Sequence, residues 1–260
     1  MKYLFLFDVD GTLTIPCDKI TNTMLTKLEY LSSSRNIDIG FVGGSNLDKQ
    51  KYQIGEENFH LFKWRFSENG LIAFKDTEMI NESSFKDFMG EHHFMKFINI
   101  VLKNLSNVEI PKKRGTFIEF RNGMLNVTPI GRACSRAERR EFEEYDKQNN
   151  IRKKLIENIK KDWKNYCYFD DTTFHELENI NFSIGGQISF DVFPKGWDKT
   201  YCLKFVEDEY DEIHFFGDKT NEGGNDYEIY NDSRVIGHHV NSYVETMHEI
   251  ENILNKIETR

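Results

Sequence analysis

Tyr3-Leu4-Phe5-Leu6-Phe7-Asp8-Val9-Asp10-Gly11-Thr12 is the stretch on which the fold turns. Residues 2 to 9 form an apolar run ending in carboxylates, the pattern of a central parallel strand buried on both faces. The glycine and threonine that follow allow a tight turn into a helix. Asp8 and Asp10 therefore stand two residues apart at a strand end. A carboxylate is a weak nucleophile, but it attacks phosphorus when Mg²⁺ neutralises the phosphoryl oxygens and holds the attack in line. Asp8 is read as that nucleophile. Asp10 can then protonate the leaving oxygen and deprotonate the next acceptor, provided that its neighbours keep it protonatable. A lone aspartate at a strand end is more often a turn or helix cap, so the reading depends on what surrounds the pair.

Ile20, Met24, Leu28 and Leu31 recur at helical spacing in a stretch without Pro or Gly, and Ile37 to Val42 reads as a second strand closing on Gly43-Gly44-Ser45. Two such strands put their polar turns side by side at the carboxyl edge of an open sheet, where α/β folds bind ligands. The character changes near Ile80. A helix-like stretch runs from Ser84 to Leu105. Two alternating runs from Thr116 to Val127 are joined by Asn122-Gly123, a hairpin signal. Ser135-x-x-Glu138 reads as a capping box, a further helix spans 149 to 165, and Phe182 to Phe193 forms a strand pair around Gly185-Gly186. After Pro194 the βα pattern resumes, with Ile213 to Phe216 as a strand ending in Gly217-Asp218 and a last helix from Tyr243 to Ile257. The predicted fold class is α/β: a Rossmann-like core, 1–81 and 194–260, carrying an inserted α+β cap, 82–193.

The 260 residues, 38% hydrophobic and 30% charged, suit a soluble globular protein. No segment resembles a membrane span, and the N-terminal run reaches Asp8 too soon for a secretory signal, so a cytoplasmic protein is expected. Cys17, Cys134, Cys167 and Cys202 show no C-x-x-C spacing, which argues for reduced thiols rather than zinc or disulfides. A net charge of -9 argues against nucleic acid as a partner and leaves room for a local basic pocket for a phosphorylated small molecule. His92-His93 and His238-His239 are adjacent rather than one helical turn apart, and read as surface residues.

The hexapeptide from Phe7 to Thr12, Gly43-Gly44-Ser45, Lys199 and the acidic loop from Gly217-Asp218 to Asn225-Asp226 follow one another as in the haloacid dehalogenase superfamily, which the chain resembles. That resemblance implies that Ser45 hydrogen-bonds the transferring phosphoryl group and Lys199 neutralises charge around Asp8. It further implies that Asp218 binds Mg²⁺ with the Asp8 carboxylate and the Asp10 backbone carbonyl, and that Asp226 orients this shell. Singly, these residues read as an N-cap serine, a surface lysine and turn acids; their joint order outweighs that. Within the superfamily, an aspartate at position 10 points to phosphatases and phosphomutases.

A mutase holds one sugar phosphate in two orientations and needs fixed cations remote from Asp8. Arginine suits this, because its planar fork binds phosphate bidentately and stays charged. Arg121, Arg132 and Arg139 are the candidates. The runs Lys112 to Val127, Gly185 to Phe193, Gly196-Trp197-Asp198-Lys199, Gly217 to Thr220 and Gly223 to Asp226 closely resemble the eukaryotic phosphomannomutases. The resemblance implies interconversion of mannose 6-phosphate and mannose 1-phosphate, with Mg²⁺ as cofactor and a hexose 1,6-bisphosphate as activator, supplying GDP-mannose synthesis. It assigns the distal phosphate and sugar to Arg121, Arg132 and Arg139, and phosphate and hydroxyl contacts to Ser189 and Asp191. It also implies a homodimer joined through the caps and a second cation site around Tyr230 and Asp232. The chain departs from the family pattern in two places. Cys17 follows Pro16 where the family carries an arginine, and Tyr166 to Asn179, with Asp170, Asp171 and Glu176, forms an acidic extension of the cap. Two alternatives stay open: an Mg²⁺-dependent sugar-phosphate phosphatase, in which water attacks the aspartyl phosphate, and a catalytically silent sugar-phosphate-binding protein. The preference for mannose over glucose is open as well.

Overall fold

The computed structural model describes residues 1–169 and 179–258. In chain order its first elements are β1 (Tyr3–Phe7), α1 (Asn22–Ser32), β2 (Ile37–Val42), α2 (Leu47–Ile54), β3 (Trp64–Ser67), β4 (Ile72–Lys75) and β5 (Glu78–Glu82). Then come α3 (Phe85–Met89), α4 (Glu91–Ser106), β6 (Ile118–Arg121), β7 (Met124–Val127), α5 (Arg136–Asn149), α6 (Ile151–Phe169), β8 (Ile180–Gly185) and β9 (Ser189–Pro194). The last are β10 (Glu212–Gly217), α7 (Tyr227–Tyr230), β11 (Ile236–His239) and α8 (Tyr243–Glu258). The chain divides into two compact units, Met1–Glu82 with Gly196–Arg260, and Ser83–Lys195.

In the first unit, seven strands lie in the order β11-β10-β1-β2-β3-β4-β5. The pairs from β11 to β3 are parallel, and β4 and β5 extend the sheet antiparallel. All of β1 is buried because successive side chains alternate between two cores. Tyr3, Phe5 and Phe7 pack with Met24, Leu28 and Leu31 of α1 and Ile250 and Ile253 of α8. Leu4 and Leu6 face Trp64, Phe66, Cys202, Leu203 and Val206 on the other side. The register pairs Phe7 with both Phe41 and Phe216, so the three loops that follow β1, β2 and β10 share one edge of the sheet.

The second unit is a four-stranded antiparallel sheet, β6-β7-β9-β8, with helices packed on its apolar face. Leu125, Val127, Phe190 and Val192 are buried there. Phe97 of α4 meets Trp163 of α6 edge to face at 5.0 Å and Phe182 at 6.4 Å. The predicted hairpin forms, with Arg121 opposite Met124. Ser135 and Glu138 form the full reciprocal capping box of α5. The single helix predicted from Ser84 to Leu105 is two, because Gly90 takes the left-handed φ of 71° and ends α3 before α4 begins.

Asn150, also left-handed, turns α5 into α6, and a buried ion pair spans the joint. Arg152 donates from its backbone N–H and Nε to the two Asp146 oxygens at 2.8 and 2.7 Å, and from Nη1 to the carbonyls of Gly186 and Ser189. Asp146→Ala removes the carboxylate that pairs with this buried guanidinium, and urea denaturation should show a loss of about 3–5 kcal/mol. A loss below about 1 kcal/mol would mean that the pair holds nothing together.

Candidate active site

Asp8 stands immediately after β1, with its N–H donating to the Phe216 carbonyl at 2.9 Å. Its Oδ1 accepts from Lys199 Nζ, which also donates to Asp226 Oδ1. Lys199 opens a helical turn, Lys199–Phe205, capped by the Asp198 side chain, and is 1% exposed. The other Asp226 oxygen accepts the Lys219 N–H at 3.0 Å. Carboxylate oxygens of Asp8, Asp218 and Asp226 lie within 4.8 Å of one another. Gly11 makes room for this: at φ +88° it is left-handed, and a Cβ there would stand 2.5 Å from Asp218 Oδ2.

Lys199 is shared by Asp8 and Asp226, while Asp218 is opposed by the charges of Lys219 and Lys199 without an ion pair to either. Burial pushes the Asp8 carboxyl up to about 6 against the pull of Lys199, and the charges of Asp226 and Asp218 add to the rise. Burial likewise raises Asp218. Burial works to lower Lys199, but Asp8 and Asp226 hold its ammonium above the ordinary lysine value. Asp8 Oδ2 and Asp218 Oδ1 are buried without a hydrogen-bond partner. Orphaned hard oxygens beside excess negative charge are what a divalent cation such as Mg²⁺ takes. The donor set fits one.

Asp10 faces a different set of groups. Its Oδ1 accepts from the Cys17 N–H at 2.6 Å and Gln53 Nε2 at 2.8 Å, and its Oδ2 from Lys49 Nζ at 2.6 Å. Burial alone would raise this carboxyl, but the bonds from Lys49, the Cys17 amide and Gln53 outweigh it and hold the group below the usual carboxylate range. The neighbours thus favour the ionised form, ready to accept a proton. Lys49 and Gln53 are one turn apart on α2, which starts directly after Gly43-Gly44-Ser45 with Asn46 as N-cap. Neither was singled out in the sequence, although a lysine and a glutamine at i, i+4 behind a glycine turn at the ligand edge is a readable signal. Ser45 lies in that turn, its carbonyl accepting from the Glu68 N–H, and its hydroxyl is bonded to none of the described residues.

In the second unit, strand register lines up Glu119, Asn126 and Asp191 across β6, β7 and β9. Asn126 Nδ2 donates to Asp191 Oδ1 at 2.6 Å, and its Oδ1 accepts from Arg132 Nη2 at 2.6 Å. Arg132 also pairs with Glu119 at 2.6 Å, and Arg121 Nη2 donates to the same Glu119 oxygen at 2.9 Å. Arg121, Arg132 and Asp191 are therefore one network, linked by two residues that sequence reasoning missed. Ser189 precedes Asp191 by two positions on the same face of β9. Arg139, on α5, lines a hollow of about 490 Å³ with Cys134, Arg136, Arg140 and Gln187. No hydrogen bond among the described residues joins it to the network.

Asp232 is held by Arg234 through Nε and Nη2, both at 2.8 Å, so a cation in the expected second site around Tyr230 and Asp232 competes with a guanidinium. His238 is not a surface residue: it stacks on Phe216 at 4.8 Å and bonds His214 at 2.9 Å and Glu249 at 3.1 Å. Of the acidic extension read at 166–179, residues 170–178 lie outside the described residues. No described helix is long and apolar enough to cross a membrane.

A model of the eukaryotic phosphomannomutase family matches residues 25–256. The chain is 51% identical over 240 residues to a phosphomannomutase of Dendrobium officinale, covering 92% of this chain and 89% of that one. It is 52% identical over 242 residues to a phosphomannomutase of Arabidopsis thaliana, covering 93% and 92%. Among solved structures, a trehalose-6-phosphate phosphatase of Aspergillus fumigatus has a similar fold, with a TM-score of 0.57 at 17% identity over 98% of this chain and 93% of that one.

Proposed function

The chain belongs to the eukaryotic phosphomannomutase family, and from that premise we propose that it interconverts mannose 6-phosphate and mannose 1-phosphate by way of a phosphoryl group carried on Asp8. The observation that carries this reading is the buried Asp8, held on one oxygen by Lys199 and unpartnered on the other.

Mg²⁺ held by Asp8, Asp218 and the Asp10 backbone carbonyl, with Asp226 orienting the shell, would neutralise the phosphoryl oxygens during transfer. The chain's own residues do the rest. A hexose 1,6-bisphosphate phosphorylates Asp8 and primes the cycle. Lys199 keeps Asp8 ionised and neutralises charge at the transferring group, and the unengaged Ser45 hydroxyl donates to a phosphoryl oxygen. Asp10, held as a carboxylate, takes the proton of the attacking sugar hydroxyl. Having taken it, Asp10 can return it to the leaving oxygen at the opposite end of the same hexose. Arg121, Arg132 and Arg139 hold the distal phosphate, with Ser189 and Asp191 on phosphate and sugar hydroxyls. Binding then exchanges the Glu119 carboxylate for phosphate on two of these arginines.

The hexose monophosphates are the substrates, and mannose 1-phosphate supplies GDP-mannose synthesis. Four free cysteines suit a reducing compartment, the cytoplasm. A homodimer through the caps has apolar surface available at the exposed Met95, Leu102 and Phe120. The test is incubation with mannose 1-phosphate, Mg²⁺ and glucose 1,6-bisphosphate, with mannose 6-phosphate as the expected product. Inorganic phosphate with little mannose 6-phosphate would overturn the mutase in favour of a phosphatase. A parallel run with glucose 1-phosphate reads the epimer preference.

A further inference from the structure

Because it concerns how Asp10 is managed between two proton transfers, the inference rests on the mutase reading. The two oxygens of Asp10 are held unequally. Oδ1 accepts from fixed donors: the Cys17 amide is backbone, and Gln53 is 1% exposed and also bonds Thr14 Oγ1 at 3.3 Å. Oδ2 accepts from Lys49 Nζ alone among the described residues. That ammonium ends a four-carbon stem, the side chain as a whole being 35% open to solvent, while the Lys49 backbone is pinned by its N–H bond to Asn46 Oδ1 at 3.0 Å.

A carboxylate that exchanges a proton with a sugar hydroxyl must bring one oxygen within hydrogen-bond reach of it. Oδ1 already accepts two bonds, which occupy its two lone pairs. Oδ2 is left: it carries one bond, from Lys49, and has a lone pair open to the hydroxyl. We propose that Lys49 is the positioning residue of proton transfer: its ammonium holds Asp10 Oδ2 in place through one lone pair and leaves the other aimed at the sugar hydroxyl. In the transfer step the hydroxyl proton passes to Oδ2 and the hydroxyl electron pair forms the new O–P bond. The bond from Asp8 to phosphorus breaks, with its electrons returning to the Asp8 carboxylate. Lys49 keeps all its protons throughout. The charge-assisted bond at 2.6 Å completes the hold on the Asp10 carboxylate during the transfer.

Lys49→Met and Lys49→Arg are compared with the parent in the mutase assay, with thermal midpoints recorded for all three. Misplacing a reacting group by about 1 Å costs on the order of a hundredfold, so kcat of Lys49→Met should fall roughly ten- to hundredfold. KM should change less than about threefold, because the substrate's own anchors are untouched. Lys49→Arg should recover most of the loss, and neither midpoint should move. An unchanged kcat in Lys49→Met, a loss confined to KM, or a Lys49→Arg no better than Lys49→Met would each overturn the inference. If the parent releases phosphate and forms no mannose 6-phosphate, the mutase reading is what fails. Lys49 is then judged on phosphate release, where the same fall supports it and an unchanged rate overturns it.

Discussion

Asp8→Asn is expected to abolish turnover and leave the fold intact. An amide oxygen does not form the aspartyl phosphate, so the loss should be on the order of 10⁴-fold or more, as when a nucleophile is removed from a covalent mechanism. The fold should tolerate the change: asparagine is isosteric, and its amide oxygen can still accept from Lys199. Removing one of three crowded carboxylates also relieves the repulsion that raises Asp8. Labelled bisphosphate should leave covalent phosphate on the parent and none on the variant. Label retained on Asp8→Asn would move the nucleophile elsewhere.

Lys199→Met is expected to damage stability and turnover together. It leaves Asp8 and Asp226 buried without their shared counter-charge, and breaking such a group costs about 3–5 kcal/mol at neutral pH without metal. Mg²⁺ should restore part of this by mass action, roughly 2.7 kcal/mol at a hundred times its Kd. The pH dependence has a fixed sign. Folding raises Asp8 from 3.8 to about 6, so the stability that it contributes is complete below 3.8 and is lost as pH rises through about 6. Asp218 shifts the same way. The gain in thermal midpoint on adding Mg²⁺ to the parent should therefore be larger near pH 7.5 than near pH 5. An equal gain at both would show that the metal does not bind through these groups.

What was legible in the sequence was whatever lies close together along it. β1 could be read because both faces of one strand are apolar, and α5 because Ser135 and Glu138 are three residues apart. The break at Gly90 was equally local, and a glycine inside an amphipathic run marks it. Long-range partners were not legible. Lys49 and Asp10 are 39 residues apart, and nothing in either segment names the other until α2 is folded behind the turn. Glu119 and Asn126 carry the link between Arg121, Arg132 and Asp191 only because the register of three strands aligns them. The short strands β3, β4 and β5 gave no clear alternation to read.

The placement of β1 between β2 and β10 bears on synthesis at the ribosome. Tyr3 pairs with Glu212, and Asp8 meets Lys199 and Asp226, so the core sheet and its catalytic cluster close only after nearly the whole chain has emerged. The four strands of the other sheet all lie between Ile118 and Pro194 and can be completed earlier. Until then β1 waits with one edge unpaired and apolar side chains on both faces, a template for joining other chains. A nascent chain released before residue 212 should accordingly aggregate through that edge rather than persist as a soluble half-protein.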